Sequence, residues 1–307
     1  MISPPLGRLP RPHLLAAIVL VAACHPGNRQ AKALRQSCDQ GDVRACSQLA
    51  LKLQKGEYVL RDEARAATLF DRACEGRVGE GCAQLGTMYQ RGRGVKRDSA
   101  RAPGLFRRGC DLGAMLGCSS LGVLHRAGLN VERDVGRAAA LFRQACRGGD
   151  MAGCAYLGAA YATGEGVAPD VDTAAVLLKR ACDAKSSPGC LGLGRLHLAG
   201  TGVAQSDSLA RELFDAACDG GERDGCFHLA ELYATGRGTV QRFWRAQGLY
   251  ESACDDGHAE ACYKLARMFE QGAGIERDQG RARQLTQRAC RLGHAAACPP
   301  PAAPRGA

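Results

Sequence analysis

Large aromatic side chains are scarce in this chain: they make up 5% of its 307 residues, with one tryptophan, Trp244. Small residues take their place, 40 glycines among them, and they recur at fixed phases. That suits close helix–helix contact and excludes a low-complexity sequence. Histidine numbers only seven and does not cluster, and no cysteines stand at C-x₂₋₄-C spacing, so no zinc centre is expected. The motifs S-x-x-K, S-D-N, K-T-G, G-x-S-x-G and H-E-x-x-H are all missing, which removes the usual serine-hydrolase and zinc-protease signatures. Gly-x-Gly does recur (Gly92/Gly94, Gly164/Gly166, Gly200/Gly202, Gly236/Gly238, Gly272/Gly274). It follows a helical pattern and precedes a loop, whereas a nucleotide loop follows a strand, so it reads as turn chemistry and no cofactor is expected.

Beyond the N-terminus no stretch is apolar enough to cross a membrane. At the N-terminus Arg8 and Arg11 precede the run Leu14-Leu15-Ala16-Ala17-Ile18-Val19-Leu20-Val21-Ala22-Ala23, a charged region followed by a short apolar one, as in a secretory signal. Val21-Ala22-Ala23-Cys24 resembles the bacterial lipobox, in which the cysteine becomes the acylated N-terminus. The alternative is an ordinary signal cut near Ala23 with one cysteine left over. Acylation of Cys24 implies a membrane-anchored, non-spanning protein. His25, in place of an aspartate, resembles an outer-membrane address facing the periplasm. Net charge is +10, with arginine far in excess of lysine. Acids and bases alternate through every repeat, so most charges read as solvated helix faces. An exported chain is not expected to bind nucleic acid.

Sixteen of the 17 cysteines form pairs eight positions apart, repeated every 36 residues: Cys38/Cys46, Cys74/Cys82, Cys110/Cys118, Cys146/Cys154, Cys182/Cys190, Cys218/Cys226, Cys254/Cys262 and Cys290/Cys298. A fixed period of this size signals a stacked array. On one continuous helix the two thiols of a pair would lie about 12 Å apart, while a disulfide needs Cα atoms within about 7 Å. Either the pairs are unbonded or the chain reverses between them. The intervening Gly-Asp and Asp-x-Gly clusters, such as Gly41-Asp42, Asp111-Leu112-Gly113 and Gly148-Gly149-Asp150, favour reversal. Export to an oxidising compartment favours disulfides.

Counted from the second cysteine of each pair, leucine stands at plus three in seven repeats, from Leu49 to Leu265. Alanine or glycine follows at plus four. Leu53, Tyr89, His125, Tyr161, His197, Tyr233 and Phe269 stand at plus seven. These positions share one helix face. Glycine at plus ten, Gly56 to Gly272, ends that helix. Asp62, Asp98, Asp134, Asp170 and Asp278 are natural N-caps for a second helix, which carries Ala66, Leu69, Phe70 and Ala73 and their equivalents and ends at the next cysteine. Each unit is therefore helix A, a loop, helix B and a stapled turn. His125 and His197 read as packed helix-face residues. His228 and Glu231 share a face, but no third member completes a catalytic set.

The pattern Leu85-Gly86, Tyr89, Gly92, Gly94-Val95, Asp98, Leu105-Phe106, Cys110-Asp111, Cys118 resembles the Sel-like repeat, a relative of the tetratricopeptide repeat. The cysteine-bearing form resembles the Helicobacter cysteine-rich proteins. The resemblance covers residues 30–298 and implies an all-α, right-handed α-solenoid of 36-residue helix-turn-helix repeats, with disulfides tying helix B to the next helix A. It implies a scaffold that binds a protein or peptide in the concave groove lined by the A helices. By resemblance alone it also implies an alternative, weak β-lactam hydrolysis or penicillin binding.

The expected organisation is a signal peptide at 1–23, an anchor linker and N-terminal half-repeat at 24–37, a seven-unit solenoid at 38–298 and a disordered tail at 299–307. Each unit buries its apolar face only against its neighbours, so separate domains are not expected and the chain reads as a monomer. Pro103 should kink or delay its helix. Thr239 to Trp244 replaces the usual V-x-x-D, so its helix loses the aspartate cap; Trp244 reads as packing filler or as a surface anchor for a partner. On the A helices, plus two, plus five and plus nine point away from the packed face. Among them Tyr156, Arg195, His228, Glu231, Lys264 and Arg267 would suit an extended peptide or acidic loop, or are ordinary solvated residues. No catalytic residue is assigned.

Overall fold

A computed structural model describes residues 26–298. The expected signal peptide, Cys24 and the tail lie outside the described residues. Among those described there are fifteen α-helices, one short 3₁₀ turn at Ala295–Ala297 and no strand. In order the helices are α1 Pro26–Asp39, α2 Val43–Lys55, α3 Glu63–Glu75, α4 Gly79–Arg91, α5 Ala102–Asp111, α6 Met115–Ala127, α7 Val135–Arg147, α8 Met151–Thr163, α9 Val171–Asp183, α10 Ser187–Ala199, α11 Asp207–Asp219, α12 Arg223–Thr235, α13 Phe243–Asp255, α14 Ala259–Gln271 and α15 Gln279–Arg291. Even-numbered helices are the A helices of the repeat; odd-numbered ones are the B helices. No described helix is long and apolar enough to cross a membrane.

The helices fall into two compact units. One holds the described chain up to Leu124 with Gly128–Glu132; the other holds His125–Ala127 and the described chain from Arg133 on. Within each unit a helix packs chiefly on the helices just before and after it in sequence, so the architecture is an α-solenoid of helix pairs.

Sequence explains the helix ends. All seven glycines at plus ten adopt left-handed φ, between 67° and 76°, and their N–H groups bond back to the carbonyl four residues earlier. Asp62, Asp134, Asp170 and Asp278 cap the following B helices through their side chains, as expected. Asp98 does not. Pro103 sits in the first turn of α5, which begins only at Ala102 with Arg101 at its cap, so Asp98 is too far upstream and bonds Arg101 Nε instead, at 3.0 Å.

All eight cysteine pairs are disulfides: Cys38–Cys46, Cys74–Cys82, Cys110–Cys118, Cys146–Cys154, Cys182–Cys190, Cys218–Cys226, Cys254–Cys262 and Cys290–Cys298, with Cα–Cα distances from 4.4 to 4.8 Å. Each spans the reversal from a B helix into the next A helix or, for Cys290–Cys298, into the closing 3₁₀ turn. As expected, each staple ties a B helix to the element that follows it across the reversal, with the sulfurs carried by the flanking elements. The first of each pair stands in the last turn of a B helix, which runs one residue beyond it. The second partners Cys46, Cys82, Cys118, Cys154, Cys190, Cys226 and Cys262 stand in the first turn of their A helices. They are buried, each at most 6% exposed. The reason is that the A helix starts three residues before the cysteine, which puts the sulfur on the packed face with the plus-three leucine. These seven second cysteines are therefore part of the core.

The core of each unit also stacks one large B-helix side chain per repeat: Phe70 and Phe106, then Phe142, Leu178, Phe214 and Tyr250, each at most 3% exposed. The A helices meet these rings through small residues. A Cβ on Gly194 would lie 2.7 Å from the Phe214 ring, so glycine is what admits the ring there. In α15 the same position is Thr286, which is only partly buried, and the array closes on a polar helix.

Candidate interaction site

The outward rows of the A helices meet in a fixed register. Plus five of one repeat stands 33 residues before plus two of the next, and at two successive junctions of the second unit the two side chains touch across neighbouring A helices. In α10 and α12, Arg195 Nε donates to His228 Nε2 at 3.1 Å. In α12 and α14, Lys264 Nζ donates to Glu231 Oε1 at 2.8 Å. Asp224, at the start of α12, links the two steps. Its carboxylate accepts from Arg195 Nη2 at 3.2 Å and lies 3.6 Å from His258 Nε2. Arg267 is 51% exposed and reaches only Glu270 on its own helix, at 3.4 Å.

An aromatic floor lies beneath these charges. The His228 ring stacks on Phe214 at 5.0 Å and meets Phe227 edge-on at 5.3 Å. His258 stacks on Phe227 at 4.5 Å. Burial, then the Arg195 charge, push His228 down to about 4, against the opposing pull of Glu231 and Asp224. It is therefore neutral at pH 7 and accepts at Nε2. Burial also lowers His258, with Asp224 opposing. Its Nδ1 accepts from the Ala261 N–H, so its proton sits on Nε2 and faces Asp224. Burial raises the Tyr250 phenol, with Glu231 and Glu260 adding to the effect.

Every cysteine among the described residues is in a disulfide, so none offers a thiol nucleophile. Nor do the bridges line the face. Cys190, Cys226 and Cys262, the staple cysteines of α10, α12 and α14, are at most 6% exposed and lie on the packed side of those helices.

Of the six residues singled out from sequence, Arg195, His228, Glu231 and Lys264 form this face. Arg267 lies beside it on α14. Tyr156 makes other contacts: its ring lies 5.2 Å from Phe142, with Arg126 5.4 Å above it. Gly192 occupies the plus-two position between Tyr156 and His228. Asp224 and His258 escaped the sequence reading because they precede the plus-two row; their signal was a titratable residue in the first turn or cap of an A helix. His125 is buried, as expected for a helix-face residue. His197 Nδ1 lies 3.0 Å from the Ala204 carbonyl. Trp244 is not packing filler: it is 66% exposed, with the Arg245 guanidinium 5.4 Å from its ring.

A family model for the Sel1 repeat matches seven stretches: 43–77, 79–113, 116–150, 152–186, 187–222, 223–258 and 259–294. Among solved structures, one similar chain is a protective antigen of uropathogenic Escherichia coli displaying an SLR fold, at 25% identity and a TM-score of 0.53. The match covers 87% of this chain and 57% of that one, so the chain spans little more than half of its length. A Sel1 repeat protein from Oxalobacter formigenes is 23% identical with a TM-score of 0.57, covering 87% of this chain and 77% of that one. Helicobacter pylori cysteine rich protein B is 26% identical over 42% of this chain and 93% of its own, with a TM-score of 0.34. No curated protein sequence matches.

Proposed function

The chain belongs to the Sel1 repeat family, whose solenoids mediate protein–protein interaction, and from that premise we propose that it is a non-catalytic scaffold holding a protein or peptide partner on the outward rows of its A helices. We further place it in the cell envelope, anchored through acylated Cys24 and facing the periplasm from the outer membrane. The observation that carries the binding reading is the Arg195–Asp224–His228 and Glu231–Lys264 series. These pairs are exposed on one or both sides, and exposed pairs add at most about 1 kcal/mol to stability. Folding draws little from the Arg195–Asp224 and Lys264–Glu231 ion pairs. They do hold charges of both signs in fixed positions over an aromatic floor, which lowers the ordering cost of binding a polar segment.

The test replaces Arg195, Glu231 and Arg267 together with alanine. Wild type and variant serve as bait for a detergent extract of the envelope, with helicity compared by circular dichroism. A partner retained by wild type and lost by an equally helical variant supports the assignment; equal retention overturns it. Intact mass after incubation with a penicillin addresses the hydrolase alternative, since a stable adduct would displace the scaffold reading. The same mass spectrum reads the acyl groups on Cys24.

A further inference from the structure

The first repeat breaks the loop pattern of the six that follow. Two residues after the helix-ending glycine, the later repeats carry Gly94, Asn130, Gly166, Gly202, Gly238 and Gly274, all with φ between 55° and 78°. The first repeat places Tyr58 there, at φ 61°, a region that disfavours a bulky side chain. Tyr58 is 51% exposed and Leu60, two residues on, is 92% exposed.

Packing shows where the ring goes. In later repeats the loop glycine lies against the start of the preceding B helix: a Cβ on Gly166 would run into the Val135 carbonyl, and one on Gly238 into Asp207. In the first repeat the small residue has changed sides. It is Gly27, in the first turn of α1, where a Cβ would lie 2.5 Å from the Tyr58 ring carbons. Lys52 Nζ stands 5.4 Å from the ring centre. Tyr58 thus lies across the beginning of α1, three residues along the chain from Cys24.

We propose that Tyr58 and Leu60 form a bilayer contact that works beside the acylated Cys24, seating this end of the array at the headgroup–acyl boundary. The proposal rests on the lipoprotein reading above. Three residues of chain reach at most about 10 Å, so acyl chains on Cys24 hold the bilayer surface within that distance of Gly27 whatever path the linker takes. A tyrosine with an apolar body and a polar tip favours this depth, and Lys52 can keep its ammonium among headgroups while its stem stays apolar. The first turn of α1 carries no acid to oppose anionic lipid. Lys55 and Arg61 are paired with Glu57 and Glu63, so the contact is chiefly apolar and does not need a strongly anionic membrane.

The test uses the full mature chain, acylated on Cys24, in phosphatidylethanolamine–phosphatidylglycerol vesicles. Leu60→Trp in a Trp244→Phe background supplies one indole. Lipids brominated on their acyl chains should quench it, and its emission should shift to the blue of the same non-acylated chain in buffer. A water-like, unquenched emission from a chain whose mass shows the acyl groups overturns the proposal. If the mass shows no acyl groups, the lipoprotein reading has failed on its own account. The non-acylated chain coupled through Cys24 to a maleimide-bearing lipid then decides the contact: quenching supports it, and no quenching overturns it. Tyr58→Gly, which restores the residue used in later repeats, should weaken the quenching without loss of helicity.

Discussion

At His228, burial against Phe214 and Phe227, helped by the Arg195 charge, makes the ring inert to protons at neutral pH. A folded-state value near 4, against an ordinary 6.5, means that the unfolded chain binds the proton more readily. The stability that depends on the neutral ring is complete above about pH 6.5, declines as pH falls, and levels off below about pH 4. His228→Phe, which keeps the stack on Phe214, should flatten the fall in urea midpoint between those limits. It should not abolish it, because His258 shifts in the same direction. An unaltered slope would show that burial of this ring is not the cause. Sequence made His228 visible as a variable position on an A helix, since period alone fixes which face a residue occupies. It did not reveal that Arg195 Nε would meet the ring, because register between helices depends on how two helices pack.

Helix ends were the most legible elements, because each end is specified by a local group with one job. Glycine at plus ten predicts a stop, and all seven such glycines adopt the left-handed conformation. The aspartate caps follow the same logic, and Asp98 departs from it because two local rules collide. A proline at 103 belongs in a first turn, and that moved the helix start beyond the reach of Asp98. The difference is measurable. Asp134→Ala removes an acceptor 2.8 Å from the Arg137 N–H and should cost about 1 kcal/mol. Asp98→Ala removes only an exposed pair with Arg101 and should cost a few tenths, within the range of surface pairs. Paired urea titrations of the two variants check this; equal losses would mean that Asp98 caps after all. Trp244 was less legible, because an indole in a loop-to-helix segment fits either a filler or an exposed anchor until the neighbouring helices are placed.

For the molecule as a whole, the 36-residue period set the fold, because a helix pair can bury its apolar side only against the next pair. It left the partner unnamed, since the outward rows are the positions that the repeat does not constrain. Stability should follow the same one-dimensional logic. Each staple closes a loop of about nine residues, worth about 2.5 kcal/mol by chain entropy, and each joins only two consecutive elements. Replacing Cys218 and Cys226 by alanine should therefore loosen the junction of α11 and α12 without melting the second unit. Hydrogen exchange should quicken across residues 207–235, which also carry Asp224 and His228. Residues 135–163, whose own staple Cys146–Cys154 is intact, should keep their protection. A uniform loss of protection through the second unit would show that its repeats unfold as one block, and that the staples act on a shared core and not on single junctions.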